Sequence, residues 1–101
     1  TDRPHPFVYF VTITNNSDET VTIRGRKWVL TQESGEVTIV EGDGVVGQSP
    51  ELKAGTDFSY NSYHVISTDC IAEGAFFGSA EDGRAVLAKI PQFELSVPKW
   101  V

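Results

Sequence analysis

From His5 to Thr14 the chain reads HPFVYFVTIT, with β-branched or aromatic residues at most positions. That density predicts a strand, and because both of its faces are apolar it suits one buried on both sides or lying against a partner. Asn15-Asn16-Ser17-Asp18-Glu19 follows as a turn, since Asn and Asp tolerate left-handed backbone and bond to their own main chain. Thr20 to Thr31 is the next strand region, with Gly25 at its middle as the expected bulge or kink. Further strands are predicted over Glu36–Glu41, Asp57–Ser67, Ile71–Ser79 and Arg84–Ile90, and Gln92–Val97 resumes as an edge strand after Pro91. About seven strands, closely spaced turns and no sustained helical period point to one all-β domain spanning residues 1–101. Its expected form is an antiparallel β-sandwich of immunoglobulin or fibronectin type III type.

Two hairpin turns are legible. Gln32-Glu33-Ser34-Gly35 reads as a four-residue turn and Ala80-Glu81-Asp82-Gly83 as another. Closing the first hairpin symmetrically sets Leu30 opposite Val37, Trp28 opposite Ile39, Arg26 opposite Glu41 and Arg24 opposite Asp43. Apolar pairs then lie next to the turn and opposite charges beyond them.

Composition narrows the function classes. With 101 residues, 40% hydrophobic and 22% charged, the chain is an ordinary globular domain. Fourteen acids against eight bases give a net charge of -6, which disfavours nucleic acid and anionic membranes as partners. Cys70 is the sole cysteine, so no internal disulfide forms and the chain fits a reducing compartment or any other that does not depend on crosslinks; a cytoplasmic location is expected. Neither a membrane span nor a signal peptide is visible in the sequence, and Thr1 in place of a start methionine is what a domain trimmed from a longer product would show.

Glu41-Gly42-Asp43-Gly44-Val45-Val46-Gly47-Gln48-Ser49-Pro50 matches G-x-G-x-x-G and also a P-loop whose lysine is replaced by Gln48. Both motifs need a helix whose first amides face the phosphates, and here Pro50 and Gly55 leave it no room. Glu41 and Asp43 would repel phosphate as well. No nucleotide or other cofactor is expected; the glycines serve a sharp strand-to-strand crossover, with Val45 and Val46 tucked into the core.

Several segments together resemble the ApaG family. They are Arg3-Pro4-His5-Pro6-Phe7-Val8-Tyr9-Phe10 leading to Ile13-Thr14-Asn15-Asn16-Ser17, Gly25-Arg26-Lys27-Trp28-Val29-Leu30, the glycine-rich loop from Gly42 to Pro50, Leu52-Lys53-Ala54-Gly55-Thr56-Asp57-Phe58-Ser59-Tyr60, and Ile90-Pro91-Gln92-Phe93-Glu94-Leu95. The resemblance runs from about residue 4 to 95. It implies a fibronectin III-like sandwich without established enzymatic activity, occurring as a small bacterial protein linked to cobalt tolerance and magnesium efflux. In eukaryotic F-box and polymerase-associated proteins it implies an appended domain for binding partners. Ser62-Tyr63 stands where serine-glycine is usual in that family, and this chain has no methionine.

Other chemistry finds little support. His5 and His64 lack ligands at zinc-site spacing. Cys70 next to Asp69 is a poor nucleophile, because a neighbouring carboxylate raises a thiol pKa. No catalytic residue is assigned. Arg24, Arg26 and Lys27 form the basic cluster, expected to pair with Glu41 and Asp43. With Gly42, Gly44 and Gly47 the two arginines are the candidates for an alternative reading, a small-anion or divalent-cation site, although two carboxylates are too few for a cation alone. The leading expectation is a non-enzymatic module that binds a protein partner, with Trp28, Tyr60, Tyr63, Phe76 and Phe77 as candidate anchors.

Overall fold

The computed structural model describes residues 4–97. Seven strands run in order: β1 His5–Thr14, β2 Val21–Gln32, β3 Val37–Asp43, β4 Glu51–Leu52, β5 Asp57–Ile66, β6 Cys70–Ala80 and β7 Ala85–Leu95. β1 and β5 pair antiparallel as one small sheet, and β3-β2-β6-β7, with β4 beside β2, form the other. The two sheets face each other as an antiparallel β-sandwich, in agreement with the sequence expectation. The count of seven agrees through different members: the two expected strands either side of Pro91 are one strand, β7, and the seventh is the two-residue β4.

The core explains the sandwich. Along β1 alternate residues face in and out, so Phe7, Tyr9, Val11 and Ile13 meet the large sheet while Val8 and Phe10 point away. One cluster joins Trp28, Leu30, Ile66, Cys70, Ala72 and Leu95; a second joins Ile13, Ile23, Val45, Leu52 and Phe76. Tyr9 stacks on His64 at 4.8 Å between ring centres, and Trp28 meets both rings at 4.9 Å. This aromatic contact ties the small sheet to the large one.

Two bulges keep the inward pattern in step. Pairing of β2 with β6 slips between Ile23 and Gly25, so Ile23 and Trp28, five residues apart, both face inward. Pairing of β6 with β7 slips between Ala72 and Gly74, opposite Pro91 and Gln92. Pro91 therefore sits where the ladder is already broken and needs no amide hydrogen.

The first hairpin differs from its expected register by one residue. Thr31 faces Val37, Val29 faces Ile39, Lys27 faces Glu41 and Gly25 faces Asp43. The Gln32 amide donates to Glu36 O at 2.9 Å, leaving a three-residue loop, Glu33-Ser34-Gly35, whose glycine has φ 89°. A three-residue loop ending in a left-handed glycine is a common hairpin closure, and it moves every opposite pair by one. The expected pairs of Leu30 with Val37, Trp28 with Ile39, Arg26 with Glu41 and Arg24 with Asp43 are therefore corrected. Ala80 and Arg84 close the β6–β7 hairpin in the same way.

Asn15, buried at the end of β1, uses every polar atom of its side chain. Nδ2 donates to Glu19 O at 2.7 Å and Leu52 O at 2.8 Å, and Oδ1 accepts from the Ser17 amide at 3.0 Å and Ser17 Oγ at 2.6 Å. The turn foreseen at this position is thus tied to β4 across the sandwich.

Candidate functional site

The glycine-rich loop leaves β3 and folds onto itself. Gly44 donates to Arg24 O at 2.7 Å; Val45 donates to Gln48 O at 2.6 Å, and Gln48 donates back to Val45 O at 3.0 Å. Val46 (φ 50°) and Gly47 (φ 76°) are the two residues between, which is the backbone of a type I′ turn. A Cβ at Gly44 would collide with the Gln48 carbonyl, so the glycine there answers to close packing. Val45 is fully buried, as expected, but Val46 is 52% exposed at the tip and corrects the expectation that both valines enter the core. Val45 is the bridge residue paired with Gln48, whereas Val46 is the first residue of the turn itself and stands at its tip.

Arg26 clasps this loop from below. It lies on the inner face of β2 directly opposite Gly42, and its Nη1 donates to Asp43 O at 3.0 Å and Gly44 O at 3.1 Å. A Cβ on Gly42 would stand 2.7 Å from that nitrogen. Gly42 is a glycine because a guanidinium occupies the place of its side chain. Arg24, the residue inserted at the β2 bulge, points Nε at Ser79 Oγ, 3.0 Å away. Neither arginine forms the expected ion pair; Lys27 pairs with Glu41 at 3.5 Å instead. Among the described residues no three His, Cys, Asp or Glu side chains stand together as a metal site.

Titratable groups inside the sandwich are set by burial. Burial pushes the Tyr60 hydroxyl well above its usual range; the nearby Tyr9 adds to the rise and the Arg26 charge opposes it. Burial lowers the His64 pKa, so the ring is neutral at pH 7. Cys70 is buried with Sγ donating to Thr68 O at 3.2 Å, and burial followed by the Asp69 charge raises its thiol pKa. Such a thiol is a poor nucleophile.

The five aromatic anchor candidates separate by face. Trp28 (1% exposed) and Phe76 (4%) are core residues, which corrects their assignment as contacts: both lie on inward positions of the large sheet. Tyr60 is half-buried between the sheets against Tyr9 and Phe76. Phe77 is exposed on the outer face of the large sheet, in register with Leu87. Tyr63 is exposed on the outer face of the small sheet.

Around Tyr63 the structure assembles a continuous apolar surface. Val8 faces Tyr63 across the β1–β5 ladder and Pro6 faces Val65, with Phe10 next along β1. Phe10 is 80% exposed and Val8 and Tyr63 62% each. Val8, Phe10 and Val65 were not singled out from the sequence, although the signal was present: a ten-residue strand apolar on both faces has one apolar face more than a two-layer fold can bury. The rest of the face is uncharged except for Asp57 at its far end.

An antiparallel two-sheet sandwich closed by a clasped glycine loop is the class these features define. The chain belongs to the ApaG family: the sequence profile of the ApaG domain matches residues 1–79. It is 38% identical over 93 residues to Protein ApaG of Vibrio cholerae, covering 91% of this chain and 74% of that one. To Protein ApaG of Pseudomonas putida it is 40% identical over 93 residues, with the same shares covered. Among solved structures, an X-ray structure of a structural-genomics target superposes with a TM-score of 0.90 at 31% identity, covering 99% of this chain and 76% of that one. A Bordetella pertussis protein described as ApaA superposes with a TM-score of 0.86 at 32% identity, covering 96% and 80%.

Proposed function

We propose that this ApaG-family domain is a non-enzymatic docking module that binds another protein through the outer face of β1 and β5. The observation that supports this reading is the exposed row of Val8, Phe10, Tyr63 and Val65 on a chain of net charge -6. Water-exposed apolar surface is costly to leave idle, and a contiguous patch rimmed by polar residues is the usual form of a protein contact. A partner that presents an apolar, uncharged surface fits it. On this reading a role in cobalt tolerance and magnesium efflux runs through the protein that is docked.

The alternative, a small-anion or cation site at Gly42, Gly44 and Gly47, is less well supported. Arg26 spends Nη1 on two loop carbonyls, Arg24 spends Nε on Ser79, and Glu41 is engaged by Lys27.

Affinity capture followed by mass spectrometry tests the docking face. The double variant Tyr63→Ser/Val65→Ser should lose a protein that the native chain and Leu87→Ser, on the opposite sheet, both retain. Retention by all three chains, or loss on Leu87→Ser alone, removes the proposal.

A further inference from the structure

We infer that Val46, at the tip of the glycine-rich loop, is a contact residue that enters an apolar socket on another protein, a socket rimmed by Lys or Arg. This contact lies apart from the outer face of β1 and β5 and does not depend on the docking reading above.

Among the described residues Val46 is the only one other than glycine with a positive φ, 50°. That backbone is costly for a β-branched residue, whose Cβ crowds the following carbonyl. The isopropyl group is also 52% exposed, so the core gains little from it. Strain of this kind persists where the surroundings over-determine it, and it collects at functional sites. Here the surroundings are the reciprocal hydrogen bonds of Val45 and Gln48, the fully buried Val45 side chain, and the two bonds from Arg26 to Asp43 O and Gly44 O. They fix the tip before any partner arrives, which lowers the ordering cost of a loop contact.

Charge defines the occupant. From Gly44 to Pro50 the loop carries no charged side chain, so the surface that receives Val46 is apolar. Asp43 before that stretch and Glu51 after it are exposed, and neither joins an ion pair among the described residues. On a chain of net charge -6, a rim of Lys or Arg complements them, and an acidic surface is turned away. A second copy of this chain, with the same sign of charge, does not fit. Burying the exposed half of one valine strengthens binding by roughly three- to tenfold, which makes Val46 an anchor within a wider contact.

Site-directed photo-crosslinking in the full-length protein tests the contact. p-Benzoyl-phenylalanine at position 46 should attach one other protein, through a peptide that sets apolar residues next to Lys or Arg. The same photoreactive residue in place of Ser34 or Glu81, in the two hairpin turns, should not attach it. With the attached protein purified, Val46→Asn should weaken binding by roughly three- to tenfold while its Tm is no lower than that of the native chain. Val46→Ile should bind like the native chain. A loss of affinity without a loss of stability is the signature of a contact residue, since a residue that merely shapes the turn would move both together.

No cross-link specific to position 46 overturns the proposal. So does a cross-link that returns to the same chain, one whose peptide is acidic, or a Val46→Asn chain that binds as the native one does. If position 46 attaches nothing while Tyr63→Ser/Val65→Ser still loses a captured protein, this contact goes and the docking face stands. If position 46 attaches its protein while no captured protein depends on Tyr63 and Val65, the Val46 contact stands and the docking reading goes.

Discussion

The Arg26 guanidinium occupies the space above Gly42 that any other residue's Cβ would need. Gly42→Ala should push the guanidinium off the carbonyls of Asp43 and Gly44 and cost about 1–2 kcal/mol, the loss of charge-assisted hydrogen bonds. The same substitution in an Arg26→Ala background should be nearly neutral. Denaturant unfolding of the four chains gives the coupling, and strictly additive losses would show that the two residues are independent.

Val46 holds a left-handed backbone that β-branched residues avoid, and type I′ turns prefer Asn before Gly. Val46→Asn should stabilise the domain by about 1 kcal/mol, a rise of about 4–8 °C in Tm for a domain of this size. A lower Tm would mean that the exposed Val46 side chain has a contact outside the turn.

Asn15→Ala should cost about 1–3 kcal/mol, because it leaves the buried Leu52 O without its donor and removes the acceptor of the Ser17 amide. Asn15→Asp should be no better at pH 7, since a carboxylate oxygen would then face two carbonyls. Equilibrium unfolding checks both, and a loss below about 0.5 kcal/mol for the alanine would show that water replaces the amide.

Stability should fall as acid is added from pH 7.5 to 5.5. The folded state keeps His64 neutral below its ordinary pKa of 6.5, so the unfolded chain binds the proton first. The contribution is intact above 6.5 and is lost as the pH drops from there through the lowered value, with a slope of at most about 1.4 kcal/mol per pH unit. His64→Gln should flatten that part of the profile, and an unchanged slope would assign the effect to other groups.

Much of the fold was legible because β-branched and aromatic density marks strands, and the turn at Asn15 and a bulge within one residue of Gly25 were visible in residue type. Register was not, because three- and four-residue loops ending at Gly35 differ only in which residue closes the ladder, and one step moves Trp28 from Ile39 to Val40. Facing direction was lost for a related reason: bulges at Arg24 and Pro91 shift the alternation, so the inward positions of Trp28 and Phe93 do not follow from counting. The glycines of the loop were legible as geometry, whereas the guanidinium above Gly42 was not. It depends on a cross-strand neighbour sixteen residues away in sequence. The exposed apolar face was half legible, since both sides of β1 read as apolar and the place of one of them on the outside of a two-stranded sheet did not follow.

Asn15-Asn16-Ser17 spells an acceptor triplet for N-linked sugar. The amide nitrogen that a glycan would take is the one already donating to Glu19 and Leu52. An oligosaccharide added during passage through a eukaryotic secretory route would therefore meet a side chain needed indoors, and the modified chain could not close. Material made by that route should fold only in its sugar-free fraction.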